Sequence, residues 1–343
     1  MEFIVRAHEC IAMQPEEYKM IMKSGIFALS SLAIAICAGA SQAAAQEPIV
    51  IGVSFDKMES FREGELNAIK AAAAAKGAKI VFQNAQEDAQ RQASQIESMI
   101  AQGAKAIIAI PWDIEAAVND ANNARSAGVA YVTLDQAPAD LKAVDFHVGG
   151  DPCADGTAAG EFFAKAAGEK PYKLLELQGG LSNDNGIRRS KCLDEVLAKH
   201  SNIVIVAQVP TDWKPEKALT GTENALQAHP DLNAIYSPWN IGLQGVFSVL
   251  EKAGKLKKVG EKGHIDIVSI DGAPTGCQAV RDGLIDMDLA TPVGDMAAAA
   301  VDAAIAVASG GKPAAPTAFL PGTPYTPADV ATQAPKVWGC VAG

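Results

Sequence analysis

From residue 49 to residue 308 the chain repeats one pattern: a short β-branched or aliphatic run, then a longer Ala-rich amphipathic stretch, then another run. The predicted strands are Ile49–Ser54, Lys79–Gln83, Ala106–Ile110, Ala130–Leu134, Tyr172–Leu177, Ile203–Val209, Ala234–Ser237, Ile265–Ile270 and Met287–Ala290. The predicted helices lie between and after them: Glu63–Lys76, Arg91–Gln102, Ile114–Ala127, Ala154–Ala167, Ile187–Lys199, Pro215–Ala228, Ile241–Ala253, Cys277–Asp282 and Asp295–Ala308. Such strict alternation implies βαβ units and parallel sheets. The strands are hydrophobic throughout rather than at every second position, so helices should cover both faces of each sheet. Several helices begin on a capping residue or a proline, as at Asp113, Asp151-Pro152 and Lys214-Pro215. About ten strands exceed one ordinary open sheet, and 343 residues exceed one small core, so two α/β domains are expected. The pattern breaks near Leu141–Asp151, where a short run Asp145–Gly149 leads into a new helix.

Composition narrows the function classes. The chain is 49% apolar and 20% charged with a net charge of −11, which fits a globular protein and offers no basic face for nucleic acid. Near the N-terminus, Met22-Lys23 precedes an apolar stretch, Ile26 to Ala40, and then Ser41-Gln42-Ala43-Ala44-Ala45. This is the layout of a secretory signal with cleavage near Ala45, and it is too short and too rich in small residues for a spanning helix. Residues 1–19 carry four glutamates and fit no signal n-region, so the true start is expected at Met20 or Met22 rather than Met1. Cys37 follows the bulky Ile36, which argues against a lipoprotein site. The expected location is the periplasm. Cleavage would leave Cys153, Cys192, Cys277 and Cys340, and four cysteines in an exported chain point to disulfides with three possible connectivities. Their wide spacing, without a C-x-x-C, argues against zinc, and the acidic "DGLIDMD" lacks calcium-loop spacing. No metal or cofactor is expected.

In an open α/β sheet, ligands bind beyond the carboxyl ends of the strands. Those ends read Ser54-Phe55-Asp56-Lys57 with Phe61-Arg62 just after, Pro111-Trp112-Asp113, Asp135-Gln136, "GGLSNDNGIRR" from residue 179, Thr211-Asp212-Trp213, Pro238-Trp239-Asn240, Asp271-Gly272 and Thr291-Pro292. Asp, Asn, Arg and Trp together suit a neutral polyhydroxylated ligand: carboxylates and amides share hydroxyl protons, arginine donates, and flat aromatic faces cover C–H surfaces. Each of these residues alone is also a common cap or turn residue.

The stretches "IVIGVSF", "QASQIESMIAQGAKAIIAIP", "GVAYVTLDQ", "LLELQGG", "NALQAHPDLNAIY" and "IVSIDGAPTGCQAVRDG", spread over residues 47–330, resemble type I periplasmic sugar-binding proteins of bacterial ABC importers, in the ribose/xylose/galactose group. "SQIESMIAQGAKAIIAIP" and "PYTPADV" resemble the D-xylose-binding branch most. The resemblance implies two Rossmann-like α/β domains with parallel sheets, joined by a three-segment hinge near Val148–Asp151, Thr291–Pro292 and Pro321–Gly322. It implies an N-terminal domain of residues 47–148 plus 292–320, and a C-terminal domain of residues 149–291 plus 321–343. It also implies ligand-binding roles. Asp135 and Asp271 match the family's hydroxyl-binding aspartates, and Arg189 matches the arginine reaching from the fifth strand-end loop. Asn183, Asp184 and Asn185 match its polar cluster, and Trp213 matches the aromatic that packs on the ring. Asn240 or Trp239 falls in the asparagine/aspartate slot, Thr291 at the polar hinge position, and Phe61 or Arg62 in the pair after strand one. Gln136 stands where the family usually has Arg, and Trp239-Asn240 where it often has Asn-Asp. The losses and gains of donors make a modified sugar or polyol as plausible a ligand as xylose.

Cys153 and Cys192 fall on consecutive helices of the second domain, Cys277 opens a later helix and Cys340 is in the tail, so the pairs Cys153–Cys192 and Cys277–Cys340 are expected. The expected protein is a monomeric receptor with no catalytic residue. It closes on a pentose, hexose or polyol and delivers it to membrane permease subunits, with a chemoreceptor as a further partner left open. A related effector domain of a transcriptional regulator would need a helix-turn-helix in place of the signal segment. A secreted α/β enzyme would need a nucleophile–base pair, and neither G-x-S-x-G, H-E-x-x-H nor a P-loop is present.

Overall fold

The computed structural model describes residues 47–341. The expected signal segment and its cleavage site lie outside the described residues. In chain order the elements are β1 (Val50–Phe55), α1 (Ser60–Ala75), β2 (Lys79–Asn84), α2 (Ala89–Ala101), β3 (Ala106–Ile110), α3 (Ile114–Ser126), β4 (Ala130–Leu134) and β5 (Phe146–Gly150). They continue with α4 (Pro152–Ala167), β6 (Tyr172–Gln178), α5 (Asp184–Leu197), β7 (Ile203–Pro210), α6 (Pro215–Ala228), β8 (Ala234–Ser237), α7 (Leu243–Lys252), β9 (Asp266–Asp271) and α8 (Pro274–Asp282). The last are β10 (Met287–Ala290), α9 (Val293–Ala308), β11 (Thr317–Leu320), β12 (Thr323–Tyr325), α10 (Val330–Gln333) and α11 (Trp338–Val341).

These strands make two six-stranded sheets, ordered β11-β5-β4-β3-β1-β2 and β12-β10-β9-β8-β6-β7. Every pairing is parallel except β10 with β12. The chain passes between the sheets three times: after β5, between β10 and α9, and between β11 and β12. The three-segment hinge of the resemblance is therefore present.

Both sheets are sandwiched, as continuous hydrophobicity requires. On one face of the first sheet α1 and α9 pack Leu66, Ile69, Met296, Ala300 and Val301 against Ile51, Val53, Ile108 and Val132. On its other face Ile96, Met99, Ala121 and Ala124 of α2 and α3 cover Ile107 and Tyr131. In the second sheet α4 and α5 cover one face through Phe163, Leu193 and Leu197, while α6 and α7 cover the other through Ala218, Leu226, Val246 and Leu250. Caps fix where several helices begin: the side chains of Asp88, Asp113, Asp151 and Asn183 each accept a first-turn backbone N–H. Cys153–Cys192 ties α4 to α5 and Cys277–Cys340 ties α8 to α11, with Cα separations of 5.2 and 5.4 Å. Both pairings are the ones expected. Among the described residues no helix is long and apolar enough to cross a membrane.

The structure corrects the strand list. β5 is a full strand, Phe146–Gly150, where only a short lead-in was read. β11 and β12 were not read at all: they hold four and three residues, and their partners β5 and β10 are supplied by the fold rather than by local periodicity.

Candidate functional site

The carboxyl ends of β1, β2, β4, β6, β7, β8 and β9 converge on a cleft of about 600 Å³ between the two sheets. Of the expected ligand residues it brings together Phe61, Arg62, Asp135, Gln136, Asn185, Arg189, Trp213, Trp239 and Asp271. It does not bring Asn183, Asp184, Asn240 or Thr291 to the lining. Asn183 caps α5, its Oδ1 accepting from Gly186 N at 3.1 Å. Asp184 pairs with Arg188 at 3.3 Å. Asn240 is consumed beneath the cleft floor: its Nδ2 donates to Ser269 and Asp288, and its Oδ1 accepts from Ala273 N. Thr291 is buried beside Asp271, its backbone N donating to the Asp271 carbonyl at 3.2 Å. Trp112, at another strand end, is also outside the lining; its N–H donates to Gln92. Reaching a strand end is thus not sufficient, because packing decides which way the next residue points.

On the first-sheet wall, Arg62 is the hub. Its Nε and Nη2 hold Asp56 at 2.9 and 3.1 Å, and its Nη1 donates to Glu65 at 2.7 Å and Asp135 at 2.8 Å. All four groups are buried. Burial alone would push the Asp135 carboxyl up, but the Arg62 guanidinium, with Arg189 and Asn185 adding to it, holds it below the usual carboxylate value. Burial likewise disfavours the Arg62 cation, and the three carboxylates reverse that, so Arg62 stays protonated. Asn185, reaching from α5 of the other lobe, donates to Asp135 Oδ1 at 2.9 Å.

The second-sheet wall is built differently. Arg189 points its two Nη atoms away from the open space, to Asp155 at 3.3 Å and the Pro238 carbonyl at 2.9 Å. Asp271 Oδ2 accepts only from Asn240 N, at 3.0 Å. Burial pushes the Asp271 carboxyl well above the usual range, and the opposing pull of Arg189 does not cancel it. Trp213 and Trp239 meet edge to face, with centroids 5.7 Å apart. The Trp213 ring lies over Gly179 and Gly180, the pair that ends β6, where a Cβ at either position would run into the indole.

Two features mark this cleft as a site rather than a packing defect. Among the described residues, the non-glycine positions with positive φ are Gln86, Glu87, Asp135, Asp212, Trp213 and Asp271; all line the cleft except Asp212, the neighbour of Trp213. Such backbone costs energy and concentrates at functional sites. Buried polar atoms without a partner also gather here: Gln136 Oε1, Arg189 Nε, Trp213 Nε1 and Trp239 Nε1 on the lining, with Thr291 Oγ1 beside it. Unmet donors and acceptors of this kind are costly unless something completes them.

Sequence reasoning missed Asn84, Gln86 and Glu87, which line the cleft from the end of β2, and Glu59, which caps α1. The polar string "NAQED" after β2 carried the same strand-end signal as the others. Asp155, which turns Arg189, gave no signal: it reads as an ordinary acidic residue in a first helical turn.

Comparison with known proteins gives the same direction. A family model described as periplasmic binding protein domain matches residues 50–312. The ribose import binding protein of Escherichia coli K12 is 28% identical over 236 residues, covering 69% of this chain and 76% of that protein. The D-xylose-binding periplasmic protein of the same organism is 26% identical over 303 residues, covering 84% and 88%. Among solved structures, the periplasmic binding component of the arabinose ABC transporter of Shewanella sp. ANA-3, bound to L-arabinofuranose, superposes with a TM-score of 0.76 at 25% identity, covering 83% of this chain and 94% of that one.

Proposed function

We propose that this chain, which belongs to the periplasmic binding protein domain family, is the solute-capturing component of an ABC importer and takes one sugar or polyol into its interdomain cleft. The observation that carries the reading is one cleft of small-molecule size whose lining residues Gln136, Arg189, Trp213 and Trp239 each hold a buried polar atom without a partner. A ligand with several hydroxyls completes such a set, because each hydroxyl both donates and accepts. A flat apolar ligand would leave it unmet.

In this reading the lobes are residues 47–148 with 292–320 and residues 149–291 with the tail. Asp135 and Arg62 grip hydroxyls from the first lobe, while Asn185, Arg189, Asp271 and the two tryptophans grip from the second. Gln136, Phe61 and Thr291 shape the edges. Closure follows ligand because the polar groups are satisfied only when both lobes reach it. The relatives are binding proteins, and no catalytic role is assigned to any residue. The periplasm is the compartment that the family implies, and membrane permease subunits are the partner that would receive the closed form.

The test is a thermal-shift panel of ribose, D-xylose, L-arabinose, myo-inositol and xylitol on the full chain. A binder present at about 100 times its Kd stabilises the native state by about 2.7 kcal/mol and raises the melting temperature accordingly. Asp135→Ala should lose the shift while still unfolding cooperatively. A panel without any shift, or an undiminished shift in Asp135→Ala, rejects the reading.

A further inference from the structure

We propose that the C-terminal tail is a latch between the lobes: Trp338, anchored to the second lobe, seats on helix α1 of the first and holds the cleft closed. The inference rests on the two-lobed reading of the cleft above, and it concerns a residue that neither the strand-end pattern nor the resemblance assigns to the site.

The anchoring is dense. Cys277–Cys340 bonds the tail to α8. Gly339 N donates to the Gly272 carbonyl at 3.0 Å, and Val337 is buried in the second-lobe core. The indole Nε1 of Trp338 donates to the backbone carbonyl of Asp271 at 2.8 Å, on the same residue whose carboxyl lines the cleft. The ring then leaves the second lobe. It packs edge-on against Phe61, with centroids 5.7 Å apart at 70°. It also lies so close to Gly64 that a Cβ there would be 2.5 Å from the indole Cζ3. Phe61 and Gly64 belong to α1, which packs on the first sheet. Phe61 in turn carries the Arg62 guanidinium over its ring at 5.7 Å.

Gly64 is the telling residue. A glycine inside a helix disfavours that helix relative to alanine, and α1 is otherwise alanine-rich. Its φ is not positive, so no backbone need explains it. What it provides is room for a ring carried by the other lobe. An unbroken contact path therefore runs from the hub of one cleft wall (Arg62) through Phe61 and Trp338 to the backbone of Asp271 on the other wall.

The contact bridges the two lobes, so removing it should shift the chain toward more open forms. Small-angle X-ray scattering on the full chain without solute tests this first. Trp338→Ala and Gly64→Ala should each raise the radius of gyration, while Trp338→Phe, which keeps a ring, stays near wild type. Gly64→Ala/Trp338→Ala should expand no more than Trp338→Ala alone, because the two changes remove one contact. A merely local role for Gly64 predicts the opposite sign, since alanine favours the helix. Unchanged scattering in Trp338→Ala, or additive expansion in the double variant, overturns the latch. In a second arm, whichever of ribose, D-xylose, L-arabinose, myo-inositol or xylitol binds wild type should bind Trp338→Ala and Gly64→Ala about tenfold more weakly, in line with the loss of one edge-to-face aromatic contact. The urea midpoint of Gly64→Ala should not fall. Undiminished binding also overturns the latch. If no panel member binds wild type, the proposed function fails on its own test, and the scattering arm alone decides the latch.

Discussion

Asp135 and Asp271 are the same residue type at the ends of parallel strands in opposite lobes, and both sit in backbone with positive φ, at 61° and 128°. Their ionisation is nevertheless driven in opposite directions. Asp135 has Arg62 at 2.8 Å and is held below the usual carboxylate value despite its burial. Asp271 is as buried, but its lobe's arginine is committed to Asp155 and the Pro238 carbonyl, and its carboxyl is pushed well up. One wall of the cleft is an ion network centred on Arg62, in which burial pushes the Glu65 carboxyl well up while Asp135 is held down. The other holds a carboxyl that burial pushes up, together with indole and guanidinium N–H groups that lack partners. Two carboxylates of identical chemistry thus acquire opposite ionisation tendencies from where their arginines point.

The comparison can be broken from its strong side first. Arg62→Met leaves Asp56, Glu65 and Asp135 buried around an absent cation, and it should cost about 3–5 kcal/mol of unfolding free energy, read by urea denaturation. A loss under about 1 kcal/mol would show that the network is not what holds this wall. Next, Asp135→Asn keeps the shape and removes the charge that faces Arg62. It should weaken binding of the panel's best solute by about 2–3 kcal/mol in calorimetry. Asp271→Asn imitates a protonated acid and should cost no more than about 1 kcal/mol in the same measurement. Equal losses at the two positions would erase the distinction.

The two aspartates also leave opposite signatures in stability against pH. For Asp135 the folded value lies below the unfolded one, so its contribution is present above an unfolded value of about 4 and disappears as pH falls through the folded value. For Asp271 the folded value is raised, so its contribution is present below about 4 and is lost as pH rises toward the folded value. Denaturation midpoints measured from pH 4 upward should therefore fall less steeply in Asp271→Asn than in wild type, whereas Asp135→Asn should flatten the acid limb. The smallest effect expected is at Trp239→Phe, which keeps the ring that Trp213 packs against and removes one N–H. A binding loss of about 1 kcal/mol or less, with no change in the urea midpoint, would fit a donor aimed at solute.

Much of this was legible in the residues. The alternation from Ile49 to Ala308 pointed to parallel sheets covered on both faces, because strands apolar on both faces need helices on either side. The strand-end rule found Asp135, Arg189, Trp213, Trp239 and Asp271, and the four cysteines of the described residues paired as expected. What stayed hidden depends on distance in the chain. Asn240 looked like a ligand residue but is spent on Ser269, Asp288 and Ala273, which only the packing of β8 against β9 and β10 brings near. The cation beside Asp135 is not at position 136, where the family usually has Arg, but is Arg62, 73 residues earlier. Arg188 lies over Phe319 of β11 and pairs with Asp184. No periodicity in a sequence carries such pairings.

The interleaved course of the chain has a kinetic corollary. Helix α9, which supplies Met296, Ala297, Ala300 and Val301 to the first lobe's core, and β11, which closes that sheet's edge, both come after the whole of β6 to β10. An emerging chain can complete the second lobe's parallel strands before the first lobe possesses its own covering helix. The N-terminal half should then remain a loosely packed intermediate until residue 320 is available, and contacts of such long sequence separation make slow folding the rule. Pulse-labelled hydrogen exchange during refolding would see protection reach β8 and β9 before it reaches β4 and β5.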